Sequence, residues 1–345
     1  MKKMYQEMLQ LLNRGESFVQ ATILTQSGSV PRTAGAKMII LADKSIKGTI
    51  GGGQVEALVQ KLGAHVFETK ETVTREYNLI GQAGQMDMIC GGKLEVLVEY
   101  MDASNQQLLG IYQDIRAAIE KRKKVVLVTP IANGKNGNAR SFLVKEDGSV
   151  GGTFSGLAEL KEMFISQARS RYSGVITIAG NRFLVEPVST YGTVYIFGAG
   201  HISQKLALLT PRVDFRTIIL DDRKEFASRD RFPAADEVIV LENFEQAFNN
   251  LDIDQDSYLV IVTRGHAHDK TVLARALRTK ACYIGMIGSL SKRDTIYRAL
   301  REEGYSEDSI KKVYSPIGLK IAAETPEEIA VSIMAELIKV RAEQS

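Results

Sequence analysis

Apolar positions recur at two periods along the 345-residue chain, and the balance between them changes near Gly192. The first hundred residues read as helix (3–13), strand (18–25), a Gly/Pro turn, strand (37–41), a Gly-rich turn, helix (54–69) and strand (93–100). Val55, Leu58, Val59, Leu62 and Val66 recur at helical spacing, which puts them on one face. From 93 to 100 the period is two: Leu94, Val96, Val98 and Tyr100 alternate with Lys93, Glu95 and Glu99. That alternation predicts a strand buried on one face and wet on the other.

The next block reads as a worn copy of the first. "SFVQATILTQSGSVPRTAGAKMIILADKSIKGTIGG" is echoed by "KKVVLVTPIANGKNGNARSFLVKEDGSVGGTFSG". A helical stretch follows each ("QVEALVQKLGAHVFE", "LAELKEMFISQA"), then a strand ending "EVLVEY" or "FLVEPV". The pattern predicts an N-terminal α+β domain over 1–190, built from a degenerate internal duplication with copy one near 1–102 and copy two near 107–190. Copy two lacks "SVPR", the triple glycine and "CGG". Turn residues that a copy drops while keeping its core pattern are not required for folding, so they become candidates for chemistry.

Past Gly192 the chain runs through "TVYIFGAG", "TIILDD", "EVIVL", "YLVIVTRG" and "CYIGMIG", short apolar runs alternating with polar or helical stretches. Continuous apolar strands between helices predict a parallel sheet covered on both faces. Residues 191–345 are therefore expected to form a Rossmann-like, doubly wound α/β domain. Its last helix carries start signals: Thr325 as N-cap, Pro326 in the first turn and Glu328 completing a capping box. Ile329, Ile333, Leu337 and Val340 supply its buried stripe.

Composition adds limits. With 44% hydrophobic and 25% charged residues the chain is that of an ordinary globular protein. A net charge of +3 is too small to suggest a nucleic-acid binder, and "KRKK" (121–124) reads as a solvated helix end. Two cysteines, Cys90 and Cys282, form no disulfide framework and fit a reducing cytoplasm; Cys282 reads as core within an apolar strand. The opening segment reads as an amphipathic helix rather than a leader, and no apolar run is long enough to cross a bilayer.

The chemistry-bearing residues sit at the turns. "VYIFGAGHIS" puts Gly198 and Gly200 between a strand and a helix, where a pyrophosphate can approach backbone N–H groups. Ser203 stands at the third fingerprint position, and Asp221 ends the next strand, where an acidic group meets a ribose hydroxyl. Arg223 leaves NAD against NADP open. His201, and His266 with His268 and Asp269 in "RGHAHD", fall at the same sheet edge. They fit hydrogen bonding to phosphate or ribose, and His266, His268 and Asp269 are also the candidate metal ligands. Ser289, Lys292 and Arg293 open a helix, either as anion contacts or as a solvated first turn. In the first domain Pro31 sets a turn that projects Arg32, and Gly51, Gly52 and Gly53 meet a helix N-terminus as a second anion cradle. Glu56 reads as a residue favoured by the helix dipole.

Taken together, "GSVPRTAGAKM", "GTIGGGQVEA", "MICGG", "IFGAGH", "LDDR", "TRGHAHD", "YIGMIGS" and "SPIGLKIAAETPEEIAVSI" resemble the XdhC/CoxI family, accessory factors of molybdenum hydroxylases such as xanthine dehydrogenase. The resemblance spans nearly the whole chain. It implies a protein without turnover of its own that binds molybdopterin as molybdenum cofactor, shields it during sulfuration and delivers it to the apo-enzyme. Implied partners are that apo-enzyme, a cysteine desulfurase-type sulfur donor and a second copy in a homodimer. Carried over motif by motif, the cofactor contacts are Arg32, Gly51, Gly52, Gly53, Gln54, Glu56, Cys90, Gly91, Gly92, Gly198, Gly200, His201, Asp221, Asp222, Arg264, His266, His268, Asp269, Gly288 and Ser289. Two departures stand out. Gln54 replaces the family's frequent cysteine, leaving Cys90 as the thiol of the first domain, and Lys320 with Ala322 stands where the family usually has Asp and Gly. Cys90 then reads as a soft contact to a metal dithiolene, against the plainer reading of a small packed residue. An NAD(P)-dependent oxidoreductase is the alternative function, and a nucleotidyltransferase acting on molybdopterin ranks after it.

Overall fold

β-Hairpins dominate the first half of the chain because its glycine-bearing turns sit between short apolar strands. The computed structural model describes residues 2–28, 33–78, 92–121, 123–132, 141–145, 147–152, 164, 173–188 and 192–343. They fall into two units, Met1–Ser189 and Thr190–Ser345.

In the first unit, α1 (Lys2–Asn13), β1 (Phe18–Ser27), β2 (Lys37–Ile40), β3 (Ile46–Gly48), α2 (Gly53–Thr69), β4 (Val73–Asn78) and β5 (Lys93–Met101) make up one repeat. The second holds α3 (Gln106–Glu120), β6 (Val125–Pro130), β7 (Phe142–Lys145), β8 (Val150–Gly152), β9 (Gly174–Ile178) and β10 (Asn181–Val188). Both form antiparallel sheets of the same order, β3-β2-β1-β5-β4 and β8-β7-β6-β10-β9. Even a turn repeats. Asp43 accepts from the amide and hydroxyl of Ser45 at 2.9 and 2.6 Å, and Asp147 does the same to Ser149 at 2.9 and 2.6 Å. The left-handed residue between them is Lys44 (φ 68°) in one repeat and Gly148 (φ 76°) in the other.

The two sheets lie face to face, and that overturns the expectation of a half-wet β5. Its outer row is covered as well as its inner one: Glu95, Leu97 and Glu99 are all buried. α2 packs on one face of the first sheet through Val55, Val59 and Val66, while the other face meets the second sheet at Leu24, Leu97 and Leu184. Alternation between apolar and charged residues usually means a solvated face; here the charged row is paired inside. Arg182 grips Glu95 with two hydrogen bonds of 2.7 and 2.6 Å and holds its carboxyl below the ordinary value. Lys37 bonds both oxygens of Glu186 at 2.8 and 3.0 Å and the Thr22 hydroxyl at 3.1 Å.

Register shows that this polar layer was duplicated. Glu99 lies opposite Gln20 on β1, as Glu186 lies opposite Leu127 on β6. Ser141 reaches Thr129 at 3.3 Å, where the first repeat has Lys37 reaching Thr22. One lysine thus serves two equivalent buried carboxylates. Glu99 is pushed up from 4.5 to about 7 by burial, with Lys37 opposing and Glu186 reinforcing the shift, and its Oε1 has no hydrogen-bond partner among the described residues.

In the second unit β11 (Thr193–Phe197), β12 (Arg216–Asp221), β13 (Glu237–Val240), β14 (Ser257–Ile261) and β15 (Tyr283–Met286) form a parallel sheet of order β13-β12-β11-β14-β15. Its helices are α4 (His201–Leu209), α5 (His266–Ala276), α6 (Leu290–Glu302), α7 (Glu307–Lys311) and α8 (Pro326–Glu343). Ile196, Ile219 and Val260 pack under α4 and α8 on one face; Phe197, Leu220 and Ile261 pack under α5 and α6 on the other. The predicted capping box closes α8, with Glu328 N–H donating to Thr325 Oγ1 (3.2 Å) and Thr325 N–H to Glu328 Oε2 (3.0 Å). No helix among the described residues is long and apolar enough to cross a membrane.

Ala322, just before α8, has φ 57°. A side chain costs about 1–2 kcal/mol in that left-handed region, and glycine gives part of this back in chain entropy. Ala322→Gly should therefore raise the unit's stability by up to about 1 kcal/mol, read as a later urea midpoint. An earlier midpoint would contradict it.

Candidate functional site

The turn from β11 into α4 is built by two glycines with different reasons to be there. At Gly198 φ is 113°, and a Cβ would lie 2.3 Å from the Val262 carbonyl oxygen, so only glycine fits. At Gly200 φ is −77°, and nothing lies within 4 Å of where a Cβ would be. Gly265, which starts α5, is alike: φ −169° and the same open space. The fold needs the first glycine and does not need the other two. Neither helix start has a side-chain cap, so both first turns keep N–H donors for something outside the chain.

The acidic residue at the end of β12 behaves otherwise than expected. Asp221 is buried, and its Oδ2 accepts from the Ala199 amide at 2.8 Å. Its Oδ1 takes the Arg223 amide (3.0 Å) and Nε (2.9 Å), and Arg223 Nη2 donates to Oδ2 (2.9 Å). The group expected to meet a ribose hydroxyl is committed to holding the glycine loop. Arg223 stacks on Phe226 with its guanidinium 3.7 Å from the ring centre; Arg231 lies 4.8 Å from the same ring and donates to the Ala199 carbonyl at 3.3 Å. The buried Nε of Arg231 has no hydrogen-bond partner among the described residues. Asp222 forms a two-pronged pair with Arg264, Nη2 to Oδ2 at 2.8 Å, and this holds its carboxyl below the ordinary value.

His201 and His266 are exposed on the first turns of α4 and α5. His268 packs its ring 5.0 Å from that of Phe244. Asp269 is fully buried, accepting from the Thr263 amide (3.1 Å), the Thr263 hydroxyl (2.6 Å) and the Lys292 ammonium. The candidate metal triad is therefore not brought together: His266 and His268, two apart on the helix, do not face each other, and Asp269 is engaged by Thr263 and Lys292. Among the described residues no group of three or more His, Cys, Asp or Glu could hold a metal ion. Lys292 arches over Gly288, whose Cβ would lie 2.7 Å from it, so its charge goes to Asp269 rather than to an outside anion. Ser289 caps α6 by accepting from the Lys292 amide at 3.2 Å.

In the first unit the triple-glycine cradle already holds an anion from its own chain. Glu56 accepts from the Thr49 hydroxyl (2.6 Å), the Gly52 amide (3.2 Å) and the Ile50 amide (3.3 Å). Gly51 and Gly52 are at φ 132° and 76°, and Gly53 and Gln54 are exposed beside the turn. Arg32, Cys90 and Gly91 lie outside the described residues; Gly92 is buried at the entry to β5. Cys282 precedes β15 instead of lying within it, half-buried, with its thiol 3.2 Å from the Ser257 carbonyl oxygen. Sequence reasoning did not single out Lys37, Glu186 or Arg231. The paired "LVEY" and "LVEP" strand ends carried the signal for the buried carboxylates, since a charge kept in both copies of a strand is a charge inside.

Known proteins resemble both units. Residues 11–78 match the sequence profile of the XdhC and CoxI family, and residues 194–337 that of the XdhC Rossmann domain. A Bacillus subtilis protein described as a probable xanthine dehydrogenase component is 27% identical over 335 residues, covering 96% of this chain and 95% of that protein. The "Molybdenum cofactor insertion chaperone PaoD" of Escherichia coli is 22% identical over 97% of this chain and 87% of its own length. The "Uncharacterized protein YqeB" of Escherichia coli is 27% identical over 65% of this chain, and the match spans 45% of YqeB. A crystal structure described as a xanthine dehydrogenase from Bacillus halodurans superposes with a TM-score of 0.80 at 25% identity, covering 99% of this chain and 96% of that one.

Proposed function

We propose, on the premise that this chain belongs to the XdhC and CoxI family, that it binds molybdenum cofactor as cargo and delivers it to a molybdenum hydroxylase of the xanthine dehydrogenase kind. The observation that carries this reading is the alignment of an insertion chaperone along 97% of the chain, both units included. The residues at the second unit's sheet edge fit the phosphate end of such a cargo. Two helix starts are uncapped above glycines the fold does not require, and the buried Nε of Arg231 is unpartnered among the described residues. The backbone donors of His201 and His266 would hold that phosphate, with Arg264 beside them. The cofactor's own contribution is a metal held by a dithiolene, for which a thiol is a matched soft contact.

On this reading Cys90, in the "MICGG" stretch, touches the cargo. The cargo stays shielded while its terminal sulfur is installed from a cysteine desulfurase-type donor, and the chain works as a homodimer. Cys90→Ala should preserve folding and lower cofactor retention several-fold; unchanged retention would remove the thiol from the account. The strand order and glycine loop also suit a dinucleotide, which supports a second reading as an NAD(P)-dependent oxidoreductase. One preparation separates the two. Protein from a cofactor-producing host is oxidised so that bound pterin fluoresces, and a parallel sample is titrated with reduced nicotinamide. Stoichiometric pterin with no nicotinamide response supports cargo binding; the opposite result supports the oxidoreductase.

A further inference from the structure

The Asp222–Arg264 pair occupies an unusual place. Asp222 follows the end of β12 and Arg264 follows β14, and these strands flank β11 on its two sides. Their ion pair therefore crosses over the end of β11, where Gly198–Gly200 leads into α4. In open parallel sheets this is the crevice in which a ligand lies. A ligand entering it meets the bridge.

We infer that Arg264 is the anion-binding arm of this crevice and Asp222 its placeholder, so that a phosphate ester binds by displacing the Asp222 carboxylate from the guanidinium. The inference rests on the reading that the crevice takes a phosphorylated ligand. Several observations support it. Solvent reaches the pair, with side chains 38% and 17% exposed, so an incoming anion can approach the guanidinium without first unfolding its surroundings. The two-pronged grip that Arg264 has on a carboxylate suits a phosphate equally well. Arg264 immediately precedes Gly265, the uncapped start of α5, so a released guanidinium has free backbone donors next to it in the chain. Of its other acidic neighbours, Asp221 lies 4.0 Å from Arg264 Nη1 and is already engaged by Arg223 and the Ala199 amide, while Glu225 adds a weaker attraction through charge alone.

The test uses ADP as a nucleoside diphosphate probe, titrated calorimetrically into the full chain and three variants. Asp222→Asn should bind ADP about tenfold tighter than the natural chain, because the competitor is gone. Arg264→Gln should bind about tenfold weaker, and the double variant should match Arg264→Gln alone. Equal affinities for all four, or weaker binding by Asp222→Asn, would overturn the exchange. If cofactor is still retained in that case, the proposed function survives without it. The expected ADP pattern in a protein that retains no pterin would leave the exchange standing and remove the cargo reading. No ADP binding by any of the four would overturn the exchange outright.

Discussion

Replacing Lys37 with methionine should destabilise the first unit by about 3–5 kcal/mol, the range for breaking a buried ion pair from one side. Lys37 and Glu186 have side chains only 4% and 2% exposed, so no solvent compensates for the lost partner. Methionine fills a similar volume, which keeps the loss electrostatic rather than a cavity effect. The same change also removes the opposing charge from Glu99. Two equivalent carboxylates would then share one buried polar layer without the Lys37 charge. Hydrogen exchange at β1 and β5 amides reports this unit without interference from the second. Restoring stability by adding Glu186→Gln to Lys37→Met would show that the cost is the orphaned charge. A loss below about 1 kcal/mol would mean the pair is not buried as described.

Glu99→Gln should stabilise the same unit at pH 8 and change little at pH 4. The sign follows from the direction of the shift. Glu99 is raised from 4.5 to about 7 in the folded chain, so the folded state holds its proton more tightly than the unfolded one. The stability contributed by the neutral acid is complete below pH 4.5 and is lost as pH rises through about 7. Across that window the loss reaches about 3 kcal/mol. Lys37, Glu186 and Tyr112 are the titratable groups around it, and burial, with Glu186 and Glu99, pushes the Tyr112 hydroxyl well above its ordinary value. Glutamine keeps the neutral shape and removes the titration. Natural and variant chains should therefore diverge between about pH 4.5 and 7 and keep a constant offset above that; profiles that stay parallel across the window would refute a raised Glu99.

Sequence periodicity read the fold class of the second unit well because a parallel sheet covered on both faces writes itself as unbroken apolar runs, and each of the five became a strand. The duplication was legible from the echoed turns and shared strand endings. The second burial of β5 was not, because alternation records which residues share a face and does not record what covers that face. Glu95 and Glu99 look solvated until Arg182 and Lys37 are seen beside them. A similar blindness affected the turns. Glu56, Asp221 and Asp269 sit where sequence reasoning placed ligand contacts, yet each carboxylate is satisfied by backbone donors or cations of its own chain. Composition at a turn indicates that an anion is welcome there and cannot tell an external anion from an internal one. Gly200 and Gly265 carry the clearer message, since the fold itself gives no reason for glycine at either place.

The most direct measurement of the central claim is transfer. Pterin-loaded protein is mixed with an apo molybdenum hydroxylase, and hydroxylase activity is followed alongside the pterin left on this chain. Activity rising in step with pterin lost, at a rate set by the concentration of both proteins, is the result expected of a delivery protein. Pterin that stays bound while the hydroxylase remains inactive would contradict it.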